Sequence, residues 1–358
     1  MKTRKQIKTT MSLAAAMGTL ALATSAQAAV LTNTQTSLVF ENNVYSPEIF
    51  EIAGRKRMLT GGWLTNSIAA AGRDQIYISD YNGGQWTTPT AIRWTNSGYV
   101  DGEIAGYQIN DPTVVQVPNS SELYMYYTGN PAGNMDFTRH VVGFAKSTDN
   151  GGTWTDFGFT LQAPGGVWSP TAVVEGNKIF VYYHGGSAGI PLYRQELALD
   201  GITELTPRSL VTTPSAISNL DISIINPMSE GGNLINRNQY VLLANSADLH
   251  QILRYTSLDG INFNVDPLDN TAVLIEGGPN YVVTPHVEYL SQGELLEYNV
   301  YFGFDSTLQI VNGTPAPLNF DSIQNWTFQQ TRPVPEPSSF ILLALTAPLL
   351  LLIRKRKI

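Results

Sequence analysis

The chain has 358 residues, 43% of them hydrophobic and 10% aromatic, with 21 basic against 29 acidic residues and no cysteine. The acidic balance excludes nucleic acid as a partner, because phosphate binding needs clustered Lys and Arg. The missing cysteines exclude a disulfide scaffold, so a packed core or a metal such as calcium must hold an exported fold together.

Residues 1–29 read as a signal peptide. Lys2, Arg4, Lys5 and Lys8 form its positive region, an Ala-, Leu- and Met-rich stretch follows, and Ala26-Gln27-Ala28 has the small-x-small form of a cleavage site. Export across the membrane is the expectation. Residues 30–40 then read as a strand that closes the last unit of a repeated structure.

The repeat itself begins at residue 44. The segments VYSPEIF (44–50), INDPTVV (109–115), VWSPTAV (167–173), NLDISII (219–225) and VVTPHVE (282–288) share one pattern, at intervals of 65, 58, 52 and 63 residues. A period that long marks a supersecondary unit rather than a helix or strand repeat. Ser46, Asp111, Ser169, Asp221 and Thr284 occupy one slot, and Glu48, Thr113, Thr171, Ser223 and His286 lie two residues on. A period of two puts this polar set on one face of a strand and the aliphatic set on the other. Five such strands around an axis give a polar channel with dry walls between units, which predicts an all-β, five-bladed propeller over 30–333.

Each slot strand is followed by a second one: 57–64, 123–129, 179–185, 240–246 and 298–304. These end in small or polar residues, and running back antiparallel they return to the slot, where glycine lets a ligand or backbone come close. Turns join the outer strands. Ser147-Thr148-Asp149-Asn150-Gly151-Gly152-Thr153-Trp154 resembles the Asp-box of sialidase-like propellers, with weaker echoes at 79–86 and 257–263. Asp and Ser cap such a turn and Gly takes positive φ.

The chain closes on Val334-Pro335-Glu336-Pro337, a 14-residue apolar run from Phe340 to Ile353, and Arg354-Lys355-Arg356-Lys357. This order resembles the PEP-CTERM sorting signal of Gram-negative bacteria. The resemblance implies, for 334–358, a hydrophobic helix held in the membrane before processing. It also implies recognition by an exosortase and delivery from the inner membrane to the cell surface or extracellular matrix. A plain membrane anchor is the other reading. Between the two ends, 30–333 carries 28 acidic and 13 basic residues, a net charge near −15, which attracts cations and keeps an exported domain soluble.

Five blades, slots containing Asp-Pro and an outer Asp-box resemble the glycoside hydrolase propellers of families 43 and 32. Those enzymes set an Asp in the first slot and an Asp and a Glu in later blades, one acting on water or the sugar and another protonating the leaving oxygen. This chain departs from them at its first slot, which holds Ser46. Shifting the pattern by one blade makes Asp111, Asp221 and Glu288 the catalytic set. Glu48, His184 and His286 are candidate ligand contacts, and Tyr45, Trp168 and Trp63 are candidate faces for sugar stacking. The family resemblance also implies that His286 helps hold a central cation, calcium being the candidate. The plainer role for Asp111 and Asp221 is capping of backbone N–H groups. Two functions stay open: a glycoside hydrolase acting on polysaccharide, or a carbohydrate-binding or matrix propeller that has lost its acids. A sialidase fits less well, for want of arginines near the slots.

Overall fold

The computed structural model describes residues 31–331, apart from 42, 65–73, 100–107, 132–136, 163–164, 187–190, 226–238, 267–270, 293–294, 306–309, 312–313 and 316–321. The predicted signal peptide and the 334–358 segment lie outside the described residues.

Each slot segment forms the innermost strand of a sheet: Val44–Ile52, Gln108–Gln116, Val167–Glu175, Ile217–Ile225 and Tyr281–Gln292. The second strands pair antiparallel with them as Arg55–Gly62, Leu123–Asn130, Lys178–Gly185, Gln239–Ser246 and Leu295–Asp305. Third and outer strands complete five blades. The outer strand of blade one is split into two short pieces, Gln85–Trp86 and Thr90–Ala91, both paired with Gln75–Asn82. The only helix among the described residues is one 3₁₀ turn, Phe137–Arg139, so none there is long enough to cross a membrane.

The aliphatic positions of neighbouring blades form a separate core in each gap. Ile109, Met125 and Tyr127 of blade two meet Leu59 and Ile76 of blade one. Tyr126 and Phe144 meet Val181 between blades two and three, and Tyr182 meets Leu242 and Tyr255 between three and four. Val241 and Ile252 meet Val300 and Phe302 between four and five. Phe40, Tyr301 and Ile323 meet Val44 and Met58, which closes the circle. Each such buried side chain contributes roughly 1.5–3 kcal/mol, and the five walls fix the sheets radially.

Closure is made by a strand exchange between the ends of the chain. Leu31–Glu41 pairs antiparallel with Ser322–Thr331, the third strand of blade five, and becomes that blade's outer edge. This is the closing role expected of 30–40.

The outer turns lock blades to one another. In blade two, Asp149 accepts from Thr153 N–H and from the Ser147 hydroxyl, and Gly151 N–H donates to Ser147 Oγ. The turn tip then presents Asn150 C=O to Arg57 of blade one at 2.8 Å. The device repeats: Gly201 C=O accepts from Tyr126 at 2.8 Å, and Gly260 C=O from Tyr182 at 2.9 Å.

Candidate functional site

The inner strands are irregular at one shared place. The pairing skips between Tyr45 and Glu48, Asn110 and Thr113, Trp168 and Thr171, Ser218 and Leu220, and Val283 and His286. At each skip one residue has positive φ: Ser46 (50°), Asp111 (46°), Ser169 (48°), Asn219 (34°) and Thr284 (46°). Left-handed backbone is uncommon outside Gly and is an outlier for β-branched Thr, so five instances in register mark a built feature.

This corrects the sequence alignment of blade four. Its slot residue is Asn219, not Asp221. Blade four has Leu220 where the other four have proline after the slot, and without that proline the alternation alone could not fix the register. Asp221 moves into the next ring with Glu48, Thr113, Thr171 and His286, and Ser223 drops out of it.

The slot ring encloses Asp111. Its Oδ1 accepts from the Ser46 hydroxyl at 2.5 Å, and its Oδ2 lies 3.1 Å from the hydroxyls of Thr128 and Ser169. Burial pushes the Asp111 carboxyl upward, while the Ser46, Thr128 and Ser169 hydroxyls oppose the shift. Ser46 N–H donates to Thr284 Oγ1 at 2.9 Å, and Ser169 Oγ lies 2.8 Å from Asn219 Oδ1.

The second ring is a relay between blades. In every blade the side chain two residues after the slot accepts the backbone N–H three residues after the slot of the next blade. Val114 N–H donates to Glu48 Oε1 at 2.7 Å, Ala172 to Thr113 Oγ1 at 3.3 Å, and Ile222 to Thr171 Oγ1 at 3.0 Å. Val287 donates to Asp221 Oδ2 at 2.8 Å, and Ile49 closes the circle on His286 Nε2 at 3.2 Å. Every one of these N–H groups sits beside the skip and would otherwise face the channel, where an unpaired buried donor costs about 1–3 kcal/mol. Asp221 and Glu48 therefore cap backbone.

The two rings line a cavity of about 30 Å³, with Ser46, Asp111 and Ser169 above Glu48, Thr171 and Asp221. Beyond them a chamber of about 300 Å³ opens at the other end of the channel, with Glu48, Asp221 and His286 among aliphatic walls. Glu48, Asp221 and His286 are all buried, their ligand-type atoms lie within 4.8 Å of one another, and they divide the channel. Glu48 is pushed upward, by burial first and by Asp221, against the pull of His286.

Calcium does not fit this trio. The ion takes six to eight oxygens, while here Glu48 Oε1 and Asp221 Oδ2 already accept backbone N–H groups and the third group is an imidazole. Burial pushes the His286 imidazole down, and the Asp221 and Glu48 carboxylates pull it well above its ordinary range. Ile49 N–H nevertheless points at Nε2. An imidazolium would set N–H against N–H there, so we take Nε2 as the bare acceptor of a neutral ring with its proton on Nδ1. Nδ1 faces Glu48 Oε2 at 3.0 Å and Asp221 Oδ2 at 3.6 Å. A protonated nitrogen cannot bind a cation.

Of the predicted residues, the hub thus gathers Asp111, Glu48, Asp221 and His286, in two layers. Glu288 lies away from it: it is paired with Lys56 of blade one and accepts from Asn299 and Tyr301 at 3.1 and 3.2 Å, binding blade five to blade one. His184, expected at the mouth, is fully buried beneath Trp168, its ring 6.3 Å from the indole. Tyr45 is buried too, edge-on to the half-buried Trp63 at 5.9 Å.

Sequence reasoning missed a second polar cluster beside the slot. Asp74 Oδ2 accepts from the Tyr45 hydroxyl at 2.5 Å, Gln108 Nε2 at 2.9 Å and Asn110 Nδ2 at 3.1 Å. Burial raises the Asp74 carboxyl to about 6 against those three donors. Tyr45 and Asn110 hold the same place before their slots, which was a signal available in the repeat. Asp74 lies outside the repeated segments and gave none.

No protein-family model matches the sequence, and no curated protein matches it. Solved structures do. An N-acetylgalactosamine deacetylase from F. plautii, in complex with blood group B trisaccharide, aligns at 13% identity and TM-score 0.56 over 84% of this chain and 95% of its own. A family 117 glycoside hydrolase from Zobellia galactanivorans aligns at 13% and 0.52, covering 86% and 93%. A thermostable family-43 glycoside hydrolase aligns at 13% and 0.50, covering 86% and 99%. Likeness at that identity shows the fold: a five-bladed propeller with structural neighbours among the glycoside hydrolases of families 43 and 117.

Proposed function

We propose that this propeller recognises polysaccharide at the slot end of its channel without cleaving glycosidic bonds. The observation that carries the reading is the occupancy of its carboxylates. Glycoside hydrolysis needs two carboxyl groups flanking the scissile bond, free to move protons. The slot ring offers one, Asp111, surrounded by three hydroxyls of the protein itself. Glu48 and Asp221 are spent on neighbouring blades, and Glu288 on Lys56. A hub cavity of about 30 Å³, against roughly 300 Å³ or more for ligand pockets, would leave a sugar lying across the mouth with its hydroxyls toward Ser46, Asp111 and Ser169. The likeness to carbohydrate-active propellers supports the choice of ligand class.

The competing reading is a hydrolase using Asp111 with Asp221. It draws on one observation, the upward shift of the Asp111 carboxyl, since a general acid must hold its proton. A screen of the purified protein against arabinan, xylan, fructan and sialosides separates the two. Binding without turnover is expected, weakened at least tenfold in Asp111→Asn. Turnover that vanishes in Asp111→Asn would establish the hydrolase instead.

Export, exosortase recognition of 334–358 and delivery to the surface belong to the same proposal, and rest on the residues at the two ends. Mass spectrometry of the protein from its native cell surface checks them: loss of the signal peptide next to Ala26-Gln27-Ala28 and loss of the apolar tail are expected.

A further inference from the structure

The resemblance to family 43 implies a cation at the hub, and the donors in this chain disagree. The relay supplies the reason. Four of its five links have an oxygen as acceptor: Glu48, Thr113, Thr171 and Asp221. The fifth acceptor is an imidazole, which receives Ile49 N–H on Nε2 at 3.2 Å. A neutral imidazole has one acceptor nitrogen and one donor, so the four oxygen links predict the state of the fifth: Nε2 bare, Nδ1 protonated. The protonated Nδ1 then lies beside the two buried carboxylates, its nitrogen 3.0 Å from Glu48 Oε2 and 3.6 Å from Asp221 Oδ2, close enough for charge to act between them but without an aligned hydrogen bond. A metal on Nδ1 would require either an imidazolate or a ring turned over, and turning it over would leave Ile49 N–H unpaired in a buried channel.

We infer that the hub of this propeller is closed by His286 itself, its protonated Nδ1 set 3.0 Å from the Glu48 carboxylate, in place of a divalent cation. The blade one to blade five junction then depends on the tautomer of one histidine, and no ion is needed to fold the ring or hold its mouth in shape.

The test uses the full-length protein, labelled with nitrogen-15 and stripped with EDTA. The His286 ring is identified by its contact with the Ile49 amide, and its tautomer is read by two-bond nitrogen–hydrogen NMR correlation. Tm is recorded alongside, alone and with millimolar calcium, manganese or zinc chloride. The expected result is an unprotonated Nε2 and a protonated Nδ1 in all four conditions, with Tm unchanged. An unchanged ring beside a raised Tm places any cation elsewhere and still supports the inference. A proton on Nε2, or loss of the Nδ1 proton on adding any of the three cations together with a Tm rise of several degrees, overturns it; a site filled to a hundred times its Kd would raise Tm by that much.

Discussion

At the scale of single residues, Asp74 and Asp111 are neighbouring carboxyls in unlike settings. Asp74 is 4% exposed and its carboxyl is raised to about 6. A folded-state pKa above the unfolded value of about 4 means that the folded protein holds this proton more tightly. The group favours folding most below pH ~4, and that contribution is lost as pH rises through about 6. Asp74→Asn keeps an acceptor for Tyr45, Gln108 and Asn110 and carries no charge at any pH. Its stability relative to the wild type should therefore climb between pH 4 and 7, by about 3 kcal/mol in all, as measured by urea unfolding at each pH. A flat difference would show that Asp74 is ionised throughout. Asp111 has no such substitute for its backbone: at φ 46°, Asn is among the few residues tolerated, which is why the binding test uses Asn rather than Ala.

Among elements, the turns between third and outer strands set how tightly one blade grips the next. Gly260 has φ 66°, and a Cβ there would lie 2.5 Å from the Tyr182 hydroxyl and 2.9 Å from Arg194 Nη1. Gly54 has φ 71° with nothing within 4 Å. Both glycines suffer the left-handed penalty on becoming alanine, about 1–2 kcal/mol, but only Gly260→Ala also overpacks a junction, for a further 1–3 kcal/mol or so. Thermal unfolding of the two variants should separate them by several degrees, with Gly260→Ala the weaker. The same elements show what the amino-acid pattern could and could not reveal. Period-two alternation and a long repeat identified the inner and second strands of all five blades. Where proline marked the residue after the slot, the register was legible. In blade four it was not, because Asn219-Leu220-Asp221 offers two polar residues at a spacing of two and the alternation fits both. The catalytic trio read from the sequence depended on that ambiguous blade and on Glu288, whose partner Lys56 comes from a strand more than 200 residues earlier. Contacts of that range are set by the closing of the ring, and no local pattern contains them.

Taken whole, the molecule has its hydrophobic stabilisation divided into five walls and its polar stabilisation concentrated on the axis. A ring of this kind is only as strong as its closing blade, where Leu31–Glu41 covers the edge of Ser322–Thr331. Removing residues 31–41 should bare an unpaired edge beside the blade one to blade five core, and such edges recruit other chains. Size-exclusion chromatography is expected to show larger species than the intact protein gives; an unchanged elution volume with unchanged Tm would show that the edge strand is dispensable. The pairing also has a mechanical side. Leu31 sits opposite Gln330, and Glu41 opposite Ser322, so whatever precedes residue 31 and whatever follows residue 331 leave the domain side by side. Tension between those two tails would peel the strands apart one rung at a time rather than shear all rungs together, making the seam the first part to yield. A tether attached at one tail alone spares the seam that direct pull.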